Sequence, residues 1–441
     1  MLKGIISLFK SVFLDAFRLA RYPREGLKSL YGVSFYRNAV YLMLSSAVGA
    51  ATGFFFWMVA ARLYPTEGVG LASAAISAVG LLALLSTLGL DYGLIRFLPN
   101  SGEKANKIIN SCFTIGGIAA IALSLIFLAG LPFWSPALLS IRGHPVFFAA
   151  FVIFTAIITL QSFTRQTFVA ERKAEFALWQ GLIFGLLRFI PLVALASFFH
   201  TFGIFASWGV ASSVAVATSI FLFIPRAQTG YFPFPVVKKE VVNEMAHFSA
   251  ANYIATLIGG MPHFILPLMV INLLGAEQNA YFYIGYAIAN ILLTVPIAAS
   301  FSLFAEGSCD EESLARNVAR TLKLVLVILI PAIVIIFVLG DKILLLFGEA
   351  YSENATRLLW CLALSAFPAS INSIYFSKKR VEKKMRNVVI FSALVTVATL
   401  GLSYFLLPTM GIVGVGVACL IGRGLVSLGI VGSLLHKHQR T

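Results

Sequence analysis

Two arginines stand where a charge is hardest to keep. Arg188 and Arg423 each fall about twelve residues into an apolar run, which at 1.5 Å per residue is near the middle of a membrane-length helix. A guanidinium at that depth costs roughly 2.5–3.5 kcal/mol to insert and is too far from the headgroups to snorkel out. Its chemistry is anion recognition, because the planar fork of donors matches phosphate or carboxylate oxygens two at a time. A structural ion pair is the other use, with Asp91 the most deeply placed carboxylate. The two uses are compatible, since a pair can open when an anion arrives. Pro191 after Arg188, and Gly422 and Gly424 around Arg423, let both helices bend or come close to a partner.

The remaining polar groups inside apolar runs are few. Asp91 and Arg96 lie five apart, about 140° around a helix, so they do not bridge each other within it. Asp91 reads as a charge-balancing or coupling group, and Arg96 as a cavity-mouth residue or a headgroup anchor. Glu306 ends a run in the second half of the chain, next to Asp310, Glu311 and Glu312, and is either a second coupling group or a solvated mouth residue. His263 sits between Pro262 and Pro267, where it could carry a proton or bond a carbonyl freed by a kink. Arg62, just before Tyr64 and Pro65, could line a mouth or cap its helix. The sequence holds no Gly-Lys-Ser/Thr phosphate loop and no His-Glu-x-x-His motif, and its four cysteines have no metal-ligand spacing. No catalytic residue, cofactor or metal is expected, and the chain reads as a transporter, not an enzyme.

What must position these residues is a membrane. Hydrophobic residues make up 59% of the 441, charged residues 12%, and the mean hydropathy is +0.91; so few charges could not cover a soluble surface. Twelve apolar runs of spanning length fall near 38–62, 69–97, 107–131, 146–168, 176–199, 203–225, 246–273, 279–304, 318–339, 355–377, 387–407 and 411–434. Residues 1–37 form no span: Ile5, Phe9, Phe13 and Phe17 share a helical face while Lys3, Lys10, Arg18 and Arg21 lie mostly off it, the pattern of an interfacial amphipathic helix. Of the 33 Lys and Arg, 27 fall in segments on the side of the N-terminus, four on the opposite side and two mid-span. By the positive-inside rule both termini are cytoplasmic and the protein is a multi-pass cell-membrane protein. The net charge of +15 is spread over these loops and is no nucleic-acid face.

The segment 226–245, with Pro233, Pro235 and Lys238-Lys239, divides a lobe of spans 1–6 (38–225) from a lobe of spans 7–12 (246–435), followed by a tail at 436–441. At an offset of about 211 residues Gly49 meets Gly260, Val59 meets Val270, Leu63 meets Leu274, and Leu81-Leu82 meets Leu292-Leu293. Six spans per half make the halves parallel repeats about an axis along the membrane normal, with the substrate path expected between them.

Asn38, then Ala60-Ala-Arg-Leu-Tyr-Pro-Thr-Glu-Gly-Val-Gly70, Leu88-Gly-Leu-Asp-Tyr-Gly-Leu-Ile-Arg-Phe-Leu-Pro99 and Leu273-Leu-Gly-Ala-Glu-Gln-Asn-Ala-Tyr-Phe-Tyr283 resemble the polysaccharide-transport family. That family, with the Wzx-type flippases, belongs to the MOP superfamily alongside MurJ and the MATE exporters. The resemblance implies a V-shaped, MATE-like pair of six-helix lobes that alternates access across the membrane. It implies a cargo of polyprenyl-(pyro)phosphate-linked oligosaccharide, moved from the inner to the outer leaflet for surface glycan assembly. Membrane lipids, and glycosyltransferases and a polymerase of the same pathway, are the implied partners. Arg188 and Arg423 would form the cationic cleft, with Asp91 balancing charge between states. Three other classes fit less well, among them a non-transporting membrane scaffold, which has no use for two buried arginines. A MATE-like cation exporter needs a carboxylate deep in the first span, and 38–62 has none; a membrane glycosyltransferase or polymerase needs long outer loops, and these are short.

Overall fold

A computed structural model describes residues 34–196, 200–309 and 314–438; the amphipathic segment expected at 1–37 lies almost wholly outside the described residues. Among the described residues all regular structure is helical, and twelve helices are long and apolar enough to cross a membrane. They are span 1 (Val40–Leu63), span 2 (Thr66–Ser86), span 3 (Ala105–Ala129), span 4 (Pro145–Ala170), span 5 (Ala174–Leu195) and span 6 (Phe202–Ala227). Span 7 (Asn252–Leu274), span 8 (Ala276–Phe304), span 9 (Arg316–Leu345), span 10 (Glu349–Val381), span 11 (Met385–Met410) and span 12 (Ile412–Ser433) follow. Below, the near end is the face where span 1 starts, and the far end is the face where spans 1 and 2 are joined.

The chain's turn chemistry sets these limits. Pro65, with φ −58° and ψ 145°, precedes the first residue of span 2, a place where no N–H is required of it. Gly275 (φ 91°) and Gly411 (φ 59°) adopt left-handed backbone to reverse the chain between spans 7 and 8 and between spans 11 and 12. Span 2 is shorter than the 69–97 run expected from hydropathy. Leu88 (φ 49°) and Gly89 (φ 76°) break the helix, and a separate short helix, Leu90–Phe97, carries Asp91 and Arg96 away from the span. Apolar composition continues through the bend, so hydropathy alone does not register it.

Prolines break two more spans. Pro191 has no N–H for the Leu187 carbonyl, and the helix is interrupted at Arg188. Pro368 likewise cannot bond Leu364, and span 10 is interrupted at Ser365. Between the lobes, residues 228–238 run along span 3 and borrow its polar side chains. Asn106 and Asn110 donate to the carbonyls of Gly230 and Phe232, and Thr114 and Ser111 accept from the amides of Val236 and Lys238. The next helix begins at Lys239, inside the stretch read from sequence as linker.

The two halves pack alike. Spans 1 and 5, 3 and 4, 4 and 6, and 2 and 4 are neighbours in the first lobe, as are 7 and 11, 9 and 10, 10 and 12, and 8 and 10 in the second. Helices end at Leu63 and Leu274 and at Ala170 and Val381, and restart at Ala174 and Met385, each pair 211 apart. Small residues bring spans 1 and 5 together: a Cβ on Gly185 would sit 2.7 Å from the Thr52 hydroxyl, and one on Gly181 3.3 Å from that of Ser45.

The apolar core divides unevenly between the ends. In the far half a single cluster joins both lobes, with Phe56, Phe127 and Phe205 from one and Val270, Phe282 and Leu358 from the other. In the near half it splits. Leu90, Ile109 and Phe163 belong to a first-lobe cluster that reaches only Met245 of the second, while Leu303 with Ile374, and Tyr375 with Ile430, form second-lobe clusters of their own. The lobes are therefore packed together across the far end, while towards the near end their contact narrows to the seam of spans 2 and 7, a V closed along one side. Large apolar side chains on the outside, among them Phe221, Val338, Val397, Phe405 and Leu428, suit a hydrocarbon surround.

Candidate functional site

At the far end the two lobes are tied by polar contacts. Arg62 donates from Nε to the Leu346 carbonyl (2.9 Å) and from Nη2 to that of Leu345 (2.7 Å), which end span 9. It thus caps a helix of the opposite lobe and not its own. Asn279 donates to the Gly70 carbonyl (2.8 Å) and the Ser73 hydroxyl, and Asn272 bridges Ser135 and the Ala137 amide. Gly70 is needed there, since a Cβ would lie 1.8 Å from the Ala276 carbonyl oxygen. The seam of spans 2 and 7 stays closed to the near end, where Tyr253 donates to the Leu85 carbonyl (2.9 Å) and Tyr92 bonds Thr256. Spans 1 and 8 meet in the far half, through Trp57 and Tyr283, whose ring centres are 4.7 Å apart.

Beneath that contact lies a cavity of about 240 Å³ between span 1 and spans 7 and 8. Span 1 contributes Gly49, Ala50 and Gly53; Phe54, Trp57 and Phe347 roof it at the far side; His263, Asn290 and Thr294 supply its polar groups. The His263 ring is exposed to this space while packing on Phe264 and Tyr286, at 4.9 and 5.7 Å between centres.

Arg188 stands behind span 1. Its side chain is 5% exposed, and its guanidinium lies 4.6 Å from the centre of the Phe56 ring and 4.8 Å from that of Phe184. Such cation–π contacts recover part of the desolvation cost, about 2 kcal/mol when water is excluded. Its Nε is buried without a hydrogen-bond partner among the described residues. Its Nη2 would be 3.9 Å from a Cβ on Gly53, so bare glycine backbone is what separates this charge from the cavity. Tyr283, on span 8, is within its electrostatic reach.

Arg423 approaches from the other lobe. It donates from Nη1 to the Ser365 hydroxyl (2.9 Å), so its guanidinium, like that of Arg188, sits at a proline-induced break. Spans 10 and 12 are tied beside it: Asn372 donates to the Arg423 carbonyl, and the Ser427 hydroxyl bonds the Pro368 carbonyl and Asn372 Oδ1. Tyr286 is within electrostatic reach of Arg423 and lies one helical turn before Asn290, which lines the cavity. The Asn290 amide nitrogen has no hydrogen-bond partner among the described residues.

The ion pair considered for Asp91 is not made: among the described residues the only salt bridges join Lys378, Lys379 and Lys384 to Glu382. Asp91 sits in the first turn of the helix after the bend, where the Tyr92 amide bonds back to the Gly89 carbonyl. One of its oxygens, Oδ1, is buried and unpartnered. Arg96 is exposed on that same short helix, away from the cavity. Glu306 lies on the helix Ala276–Cys309, and its side chain falls outside the described residues. Of the residues singled out from sequence, His263 lines the cavity, Arg188 lies behind its Gly53 wall, Arg423 is held at Ser365 of span 10, and Arg62, Asp91 and Arg96 lie elsewhere. Sequence reasoning missed Tyr283, Tyr286, Asn290 and Thr294. Their spacing of three and four residues in an apolar run is the mark of one polar helix stripe, and that signal is present in the sequence.

The comparisons agree with this architecture. Residues 35–308 match the family model for polysaccharide biosynthesis protein. No curated protein sequence matches the chain. Among solved structures, the lipid II flippase MurJ in an inward closed conformation aligns with a TM-score of 0.74 at 13% identity, over 90% of this chain and 87% of that one. An inward-facing multidrug resistance MATE family transporter of the MOP superfamily aligns at 0.67 and 15%, over 91% and 98%. A MOP superfamily transporter from Pyrococcus furiosus, described as having a binding pocket of reverse polarity, aligns at 0.62 and 16%, over 92% and 95%. At these identities the likeness is one of fold.

Proposed function

Since the chain belongs to the polysaccharide biosynthesis protein family, matched over 35–308, we propose that it is a flippase for a polyprenyl-(pyro)phosphate-linked oligosaccharide. The near end is cytoplasmic in this reading, because it carries 27 of the 33 Lys and Arg. The state described is then open towards the cytoplasm and sealed outside by Arg62, Asn279 and Asn272. The headgroup enters the cavity with its phosphate drawn by Arg188 and Arg423, while the polyprenyl tail stays in lipid beside spans 1 and 8, which touch only in their far halves. Glycan hydroxyls meet Asn290, Thr294 and His263. Release of the Arg62 clasp opens the far end and delivers the glycan outside.

One observation carries this reading: Arg188 is a buried cation with no carboxylate partner among the described residues, one glycine backbone away from an interlobe cavity. A charge kept dry and unpaired is a standing cost that an arriving anion would offset. The cavity-lining residues include no carboxylate, which disfavours a cation exporter. The MurJ relative is described as a lipid II flippase and shares this fold. The test is leaflet access of a fluorescent polyprenyl-pyrophosphate oligosaccharide in proteoliposomes. Arg188→Ala and Arg423→Ala should each slow transfer at least tenfold; parent rates in both would remove the arginines from the site.

A further inference from the structure

The turn between spans 4 and 5 and the turn between spans 10 and 11 are copies of one another. Glu171-Arg172-Lys173 and Glu382-Lys383-Lys384 lie 211 residues apart. In each, the second residue has φ 55°. The hydrogen bonds match as well: the amides of Glu171, Arg172 and Lys173 reach the carbonyls of Thr167, Val169 and Phe168, and those of Glu382, Lys383 and Lys384 reach Lys378, Arg380 and Lys379. This is the helix-ending motif in which the left-handed position is usually glycine. Here both lobes place a long cationic side chain there, against the backbone's preference. Both side chains are exposed, and neither is in an ion pair among the described residues.

A need to end the helix does not explain the choice, because glycine ends it with less strain. We propose that Arg172 and Lys383 are a symmetry-related pair of lipid-phosphate contacts, one at the near-end corner of each lobe, that hold the lobes to an anionic membrane surface. The surroundings fit this role. In the second lobe Glu382 is engaged by Lys378, Lys379 and Lys384, which leaves Lys383 unspent. Burial opposes ionisation of Glu382, yet its bonds to Lys379 and Lys384 hold its carboxyl below the usual glutamate range, so it stays with those partners. In the first lobe burial raises Glu171, with Lys173 the cation acting against that rise, so Arg172 is again the one left over. The positions also suit leverage, since each corner joins a span of the lobe interior to span 5 or span 11, the helices that back spans 1 and 7. This inference is independent of the cargo.

The test exploits the strain. The full chain with Arg172→Gly and Lys383→Gly together is placed in nanodiscs of phosphatidylcholine alone, or with one part in three phosphatidylglycerol, and its thermal unfolding midpoint is read. The parent should gain stability in the anionic bilayer, an effect that shrinks with salt. The double glycine variant should match or exceed the parent in phosphatidylcholine and lose more than half of the anionic gain, while Arg172→Lys with Lys383→Arg keeps it. A third bilayer, phosphatidylcholine with a polyprenyl monophosphate at equal phosphate content, separates the sources: a gain in both anionic bilayers means any lipid phosphate, and a gain only here means the cargo's own class. An anionic gain undiminished in the glycine variant overturns the proposal and leaves the corners as helix ends only.

Discussion

The two lobes share a plan and differ where the charges are. Under the 211-residue offset Arg188 corresponds to Thr399, and Arg423 to Ser212. Thr399 packs against Gly422 within an unbroken span 11, and Ser212 bonds back to the Trp208 carbonyl inside its own helix. Neither arginine, nor the break that accommodates it, is inherited from the repeat. The counterparts of Pro191 and Pro368 are Leu402 and Ile157, and both lie within continuous helices. The duplicated parts are helix ends, turns and helix pairings, which build a scaffold. The departures are two cations and two broken helices, each arginine held within its own lobe at a break. The repeat thus accounts for the V, and the proposed site lies where the repeat is broken.

That contrast can be broken experimentally. The largest effect is expected at Arg188→Leu, which should cut transport about 100-fold, ~2.7 kcal/mol in the barrier, while folding stability is unchanged or higher because a dry unpaired charge is gone. A destabilised variant with normal transport would make Arg188 part of the scaffold. Next is Gly70→Ala, a change to the far-end seam. Its methyl meets the Ala276 backbone, which cannot yield cheaply, and about 1–3 kcal/mol of stability should be lost in chemical unfolding. Arg62→Ala removes two charge-assisted bonds in an exposed place and should cost about 1–2 kcal/mol, with faster labelling of cysteines placed on the far-end seam. The smallest pair sharpens the comparison: Ser365→Ala, which strips a partner from Arg423, should cost about 1 kcal/mol. Thr399→Val, at a hydroxyl that bonds nothing, should be near neutral in the same assay.

Much of this is readable in the sequence, for reasons of period and depth. Twelve spans follow from hydrocarbon thickness, which demands long apolar runs and forgives a shift of a few residues at either end. The repeat is visible in Leu63 with Leu274, which prove to end equivalent helices. Arg188 stands out because nothing else in the middle of its run is charged. Asp91 misleads for one cause: depth counted at a constant rise runs straight through Leu88 and Gly89, where the backbone turns out of the helix. Sequence puts Arg62 at a mouth or on the cap of its own helix, yet its acceptors are 283 and 284 residues away, beyond any local rule. The Tyr283–Thr294 stripe goes unread because hydroxyls and amides are common in spans, and only the facing helix makes them a cavity wall.

The central claim is that the arginines recognise negative charge on the cargo, and one comparison reaches it directly. The same fluorescent oligosaccharide is joined to the same polyprenyl chain through pyrophosphate or through an uncharged ether, and both are offered to the parent and to an Arg188→Leu, Arg423→Leu double variant in proteoliposomes. The account predicts that the parent moves the charged form at least tenfold faster and that the double variant moves both at one slow rate. An undiminished preference for the charged form in the double variant would contradict it.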